Sequence, residues 1–268
     1  MRGMEQDPIK GGSVAEGTAR HLKDLILEGS LSPGDLLLPE RDLAQRLNVS
    51  RPTLRQGMKI LEEEGLLVAS GSGRAVAPLG REITDPLIAL IASHAEVVDD
   101  YLEFRATTER MAARLAAARA NAVDRDRLTA CLARIDRAHE QGVHQEEAEA
   151  DIDLHVAVYE ASHNLVVLHT MRALSGMLRQ GVIENREKLF ARPETRDRLR
   201  AQHRAIYESV MAGDVEAAGE AAETHIHYTH QALTEIKAAE ARLQVSLRRL
   251  NGGSVAVRRK GAGAEGER

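Results

Sequence analysis

Four side chains able to ligate a metal recur on the apolar faces of three helical stretches: Asp151 and His155, then His203, then His225. Asp151 and His155 stand four residues apart, so on a helix they are neighbours on the side that Leu154 and Val158 turn inward. His203 shares a face with Leu199, Ile206 and Val210; His225 shares one with Ala218, Ala221 and Tyr228. Burying a carboxylate without partners costs on the order of several kcal/mol. Three imidazoles converging on Asp151 would satisfy it, and a divalent cation would do so best. One oxygen and three nitrogen donors suit zinc, nickel or manganese, with positions left for water or an anionic ligand. A single histidine on an apolar face is more often a hydrogen-bonded core residue, so the residues alone leave both readings open. His94, His139, His144, His163, His169, His227 and His230 lack such a pattern and are read as surface, cap or core residues.

A second chemistry lies near the N-terminus. From Arg41 to Lys59 the cations Arg41, Arg46, Arg51, Arg55 and Lys59 face a single acid, Asp42, in a chain whose net charge is −5. Arg51 and Arg55 are four apart and share a helix face, where an arginine fork can grip guanine O6 and N7. Ser50 and Thr53 offer hydroxyls to phosphate, or cap the helix. Arg105 also has two readings: an ion pair with Glu103 or Glu109 at the surface, or a guanidinium facing a cavity and forking onto a ligand carboxylate.

These residues need elements to position them. Helices are expected at 14–29 and 39–47, with Asn48 as breaker, and from the Ser50 cap to Gly65, with Pro52 in the first turn. Leu66–Ala69 and Arg74–Ala77 are read as a hairpin across Gly71-Ser72-Gly73. Three helices and a hairpin make a winged helix-turn-helix. Pro78 to Pro86 reads as a linker. Helices follow near 84–93, 95–120, 124–140, 145–162, 164–189, 194–212 and 214–249. The fold class is therefore mainly α, a winged helix-turn-helix plus a C-terminal all-α bundle. The expected units are an arm at 1–13, a DNA-binding domain at 14–78, a linker at 79–84, a helical domain at 85–249 and a disordered tail at 250–268.

The N-terminal motifs resemble the GntR family of bacterial regulators. They are Leu31-Ser32-Pro33-Gly34-Asp35, Glu40-Arg41-Asp42-Leu43-Ala44, Val49-Ser50-Arg51-Pro52-Thr53-Leu54-Arg55 and Leu61-Glu62-Glu63-Glu64-Gly65-Leu66. The resemblance implies that Arg41, Arg51 and Arg55 contact operator DNA and that the wing tip Gly71, Ser72 and Gly73 reaches the minor groove. The chain departs from the family in two places. Leu38-Pro39 precedes Glu40 without the usual serine, and Gly57 replaces a favoured alanine, at a helix cost of up to ~1 kcal/mol.

Further on, the chain resembles the FCD ligand-binding domain of the FadR subfamily. The stretches are Glu103-Phe104-Arg105, Ala112-Ala113-Arg114-Leu115-Ala116-Ala117, Ala161-Ser162-His163-Asn164, His203-Arg204-Ala205-Ile206 and Ala212-Gly213-Asp214. That resemblance implies a divalent metal on Asp151, His155, His203 and His225. It also implies a small carboxylate effector, such as a hydroxy acid, sugar acid or dicarboxylate, anchored by Arg105. Leu154 stands where phenylalanine is common and Leu165 where proline is frequent, which alters the pocket rather than the metal set. Two copies reading a palindromic operator complete the expected picture, a homodimeric repressor.

Composition fits that reading. Hydrophobic residues make up 43% and charged residues 29% of 268, as in a folded globular protein. Cys131 is the single cysteine, which excludes an intrachain disulfide and points to the reducing cytoplasm. No apolar run spans a bilayer, so no membrane partner is expected. Two rivals are a metal-dependent hydrolase, for which no general base stands out, and a regulator whose helical domain only dimerises without metal. No catalytic residue is assigned. A sensor of fatty acyl-CoA fits less well, because the ligand set is polar.

Overall fold

The computed structural model describes residues 13–71, 73–177 and 188–251. Helices α1 (Val14–Leu27), α2 (Glu40–Arg46) and α3 (Arg51–Glu63) precede strands β1 (Leu67–Ser70) and β2 (Gly73–Val76). Each helix begins and ends for a local reason. Ser13 and Glu16 form a reciprocal capping box at α1, Asn48 adopts φ 53° after α2, and the Ser50 hydroxyl accepts from the Thr53 amide at α3. Ala19, Leu22, Leu43, Leu54, Met58, Leu61 and Val76 close one core. The strands pair antiparallel with Ser70 opposite Gly73, and Leu36 adds a bridge to Ala75. The hairpin is thus one residue later than expected in β1 and one earlier in β2, and Ser72 lies outside the described residues.

Gly57 has a packing reason that its helix propensity does not show. A Cβ there would lie 2.9 Å from the Ala15 carbonyl oxygen and 3.2 Å from the Ala19 amide. Its absence lets α3 cross α1 closely, which offsets the helix cost.

The second domain comprises α4 (Arg81–Ser93), α5 (Ala95–Arg119), α6 (Ala122–Gln141), α7 (His144–Ala161), α8 (Leu165–Met177), α9 (Pro193–Ala212) and α10 (Val215–Asn251). The linker expectation needs correction: the helix begins at Arg81, and Pro86 lies inside it. A proline there removes one backbone donor, yet Ile91 packs with Tyr101, Leu102 and Leu174 and holds the helix in place. The expected helix 164–189 is described as far as Met177, and 178–187 lie outside the described residues. So do the arm at 1–12 and the tail at 252–268, while Leu250 and Asn251 continue α10.

α10 lies along α5 and α9, and α7 lies between α5 and α6. Alanine dominates these contacts: Ala112, Ala113, Ala116, Ala117, Ala150, Ala157, Ala161, Ala218 and Ala222 are all buried. Such small side chains let helix backbones approach closely, and the polar residues of α5, α7, α9 and α10 meet inside that seam. Among the described residues no helix is long and apolar enough to cross a membrane.

Candidate metal centre and nucleic-acid interface

Asp151 and His155 come from α7, His203 from α9 and His225 from α10. All four are buried, and their ligand atoms lie within 4.8 Å of one another. The His203 and His225 rings are 4.5 Å apart between centroids, His155 and His225 5.2 Å, and His155 and His203 5.9 Å. Asp151 Oδ1 is 2.7 Å from His203 Nε2 and 3.7 Å from His155 Nε2. Donors bound at ~2.1 Å stand ~3.4 Å apart around a tetrahedral ion, so a modest contraction would close this set on a cation. His155 Nε2 is buried and makes no hydrogen bond, as a nitrogen facing a cation would. The residues therefore fit a divalent metal, with Asp151 and the three imidazoles as its ligands.

Beneath these four residues sits a carboxylate that the sequence reading treated only as a surface partner. Glu109 on α5 is 1% exposed. Its Oε2 is 3.0 Å from His155 Nδ1, and its Oε1 accepts from Arg105 Nε at 3.1 Å and from the Tyr159 hydroxyl. Burial would raise the Glu109 carboxyl, but His155 and Arg105 beside it and the hydrogen bonds from His155 and Tyr159 bring it down to about 2. The same burial would deprotonate Arg105 more easily, and the Glu109 charge overrides it, holding the guanidinium above its usual range. Burial, and then Glu109, push the Tyr159 hydroxyl well up. Arg105 does pair with Glu109, as one reading had it, yet inside the bundle at 5% exposure rather than at the surface. His155 and Tyr159 of α7 close over Glu109, so an i,i+4 ion pair that is normally left in water is buried here.

His225 is oriented more loosely, its Nδ1 lying 3.3 Å from Gln202 Oε1. Four of the histidines without a ligand pattern find ordinary partners: His139 on Glu147, His163 on Asp124, His230 on Asp99 and His169 on the Leu27 carbonyl. The last crosses between domains. Arg172 also reaches across, to the Gly29 carbonyl at 3.4 Å, and pairs with Glu160, the residue after Tyr159 on α7.

The first domain presents its arginines outward. Arg41, Arg51 and Arg55 are exposed. Glu40 gathers the latter two, with Arg55 Nε at 2.7 Å and Arg51 Nη2 at 3.7 Å, and it takes Arg74 of β2 at 3.1 Å. Arg55's hydrogen bond, with Arg74 behind it, holds the Glu40 carboxyl below its usual range. Ser50 Oγ and Thr53 Oγ1 are 2.7 Å apart at the exposed start of α3. Gly71 and Gly73 flank the wing tip, Gly71 at φ 56°. Glu40 and Arg74 were missed by the sequence reading, although the Glu40-Arg41 pair and the cation on the strand facing α3 were there to be weighed.

Comparison with known proteins agrees with the two-domain fold. The family model "Bacterial regulatory proteins, gntR family" matches residues 14–76, and the "FCD domain" model matches residues 100–228. The "Glc operon transcriptional activator" of Escherichia coli (strain K12) is 31% identical over 229 residues, covering 84% of this chain and 90% of that protein. The chain belongs to the gntR family of bacterial regulatory proteins. A second gntR relative, the "HTH-type transcriptional regulator LutR" of Bacillus subtilis (strain 168), is 31% identical over 193 residues, covering 71% and 87%. Among solved structures, "Streptococcus agalactiae GntR" is 25% identical, with a TM-score of 0.50, covering 81% of this chain and 99% of that one. This gntR member is a DNA-binding transcriptional regulator and not an enzyme.

Proposed function

We propose that this regulator is a homodimeric repressor of a palindromic operator, controlled by a small carboxylate bound at a divalent metal in its helical domain. The observation that carries the reading is the convergence of Asp151, His155, His203 and His225, from three helices, on one buried point. Zinc is the leading cation, with nickel and manganese as alternatives, because one carboxylate and three imidazoles form a borderline donor set. The metal supplies a Lewis-acidic centre for the effector's oxygens. Arg105 anchors the carboxylate, and an effector reaching its guanidinium must share it with Glu109 or displace Glu109.

On the DNA side, Arg51 and Arg55 read base edges in the major groove, Arg41 joins them, and Ser50 and Thr53 hold phosphate. Gly71, Ser72 and Gly73 carry the wing tip to the minor groove. The domains communicate where α8 meets the end of α1, through His169 on Leu27 and through Arg172, which touches both Gly29 and Glu160. Effector binding shifts the balance between two arrangements of this contact, to the extent that it binds one of them better.

A thermal-shift screen tests the proposal, using lactate, gluconate and succinate as probes of the three acid classes, with and without chelator. The expected stabilisation depends on metal and is lost in Arg105→Ala. A shift that survives both chelator and Arg105→Ala contradicts it. One observation favours the metal-free alternative: the 2.7 Å contact with His203 already gives Asp151 a partner. Metal analysis of purified wild-type protein and His203→Ala decides between the two.

A further inference from the structure

Glu109 touches neither the cation position nor solvent, and neither an operator-binding nor an effector-binding role accounts for it. Its two oxygens are divided between different tasks. Oε1 takes Arg105 and Tyr159, and Oε2 takes the Nδ1 edge of His155. We propose that Glu109 is the positioning residue of the metal centre, fixing His155 in the form that carries its proton on Nδ1 and offers Nε2 to the cation. This rests on the preceding assignment of Asp151, His155, His203 and His225 as ligands.

Donors and acceptors assign the form of the ring. Arg105 stays charged, and its Nε and Nη2 both lie 3.1 Å from Glu109 Oε1. A carboxylate facing that guanidinium is an acceptor only. The 3.0 Å contact between His155 Nδ1 and Oε2 therefore requires the imidazole to donate. A neutral ring that donates from Nδ1 has its lone pair on Nε2. That lone pair points into the centre, 3.7 Å from Asp151 Oδ1, where two electron-rich atoms oppose each other unless a cation lies between them. A carboxylate behind a ligating imidazole fixes the ring's orientation and raises its basicity, and losing such a partner typically costs about 10–100-fold in metal affinity. Packing makes the grip firm. The donors Arg105, His155 and Tyr159 reach Glu109 from two helices, and all are buried. Gln202 approaches His225 in a comparable place, but as a neutral amide at 3.3 Å and only part-buried.

The test uses full-length protein and Zn²⁺ in competition with a chromogenic chelator. Glu109→Gln should weaken Zn²⁺ binding by about 10–100-fold. Two-bond proton–nitrogen correlation spectra of the Zn²⁺-loaded wild type should show His155 protonated at Nδ1 and metal-bound at Nε2. In Glu109→Gln that fixed pattern should be lost, a change that general loosening of the bundle does not produce selectively at one ring. Glu109→Gln leaves Arg105 buried against a neutral side chain and could fail to fold. The double variant Arg105→Gln/Glu109→Gln removes both charges at similar volume, which buried pairs often tolerate. It should fold and show the same loss of Zn²⁺ affinity. The proposal is overturned if His155 in the loaded wild type is protonated at Nε2 or at both nitrogens, or if the double variant binds Zn²⁺ as tightly as wild type. A wild type that takes up no Zn²⁺ refutes the ligand assignment itself. A wild type that binds while the variants bind equally well refutes only the role of Glu109.

Discussion

Two glutamates organise this molecule, and they do so under opposite conditions. Glu40 stands among exposed arginines of the first domain, while Glu109 stands among buried donors behind the candidate metal ligands. Both gather cations, so a list of ion pairs would treat them alike. Solvent separates them. At the surface, water and salt screen each pair to about 0–1 kcal/mol, so Arg51 and Arg55 can leave Glu40 for phosphate or guanine at little cost. In the bundle water does not compete for these groups, because Glu109, Arg105, His155 and Tyr159 are all buried. If the proposed roles hold, a surface that releases its arginines to DNA uses a weak holder, and a centre that keeps its imidazole in one orientation uses a strong one.

Breaking the strong holder should have the largest effect. Glu109→Ala leaves Arg105 as an uncompensated buried charge and should cost about 3–5 kcal/mol in urea unfolding. A loss under 1 kcal/mol would erase the contrast. Next in size, Arg51→Ala should weaken specific operator binding by about 1–3 kcal/mol in titrations at fixed salt. Its unfolding midpoint should stay near wild type, because its partner is already solvated. Gly57→Ala sharpens the comparison from the packing side. Helix propensity favours alanine by up to about 1 kcal/mol, but the Ala15 carbonyl 2.9 Å from the new Cβ should reverse the sign, giving a lower thermal midpoint. Smallest is Glu40→Gln, expected to change stability by less than about 1 kcal/mol. It should also tighten non-specific DNA binding, since a negative charge leaves the phosphate-facing surface.

The same contrast explains what could be read in the sequence. The helix-turn-helix is local: the Ser50 cap, Pro52 in the first turn, Asn48 at positive φ and the glycines around the wing each act within a few residues, so their signals survive in one dimension. The candidate ligand positions followed from helical spacing together with family resemblance, because Asp151 and His155 share a turn whereas His203 and His225 arrive from other helices. Glu109 was visible only as an i,i+4 partner of Arg105. Which side of α5 faces inward is not decided by periodicity when Ala106, Ala112, Ala113 and Ala116 are buried along it. Pro86 misled for a related reason. Local chemistry argued for a linker, and contacts of Ile91 with Tyr101, Leu102 and Leu174, distant in the chain, kept the helix.

The central claim is that four side chains hold one cation. Anomalous diffraction at the zinc edge, from crystals of Zn²⁺-loaded protein, tests it most directly. A single strong peak is expected inside each bundle, ~2.0–2.2 Å from one oxygen of Asp151 and one nitrogen each of His155, His203 and His225. A map with peaks only at the surface, or with none inside the bundle, would contradict it.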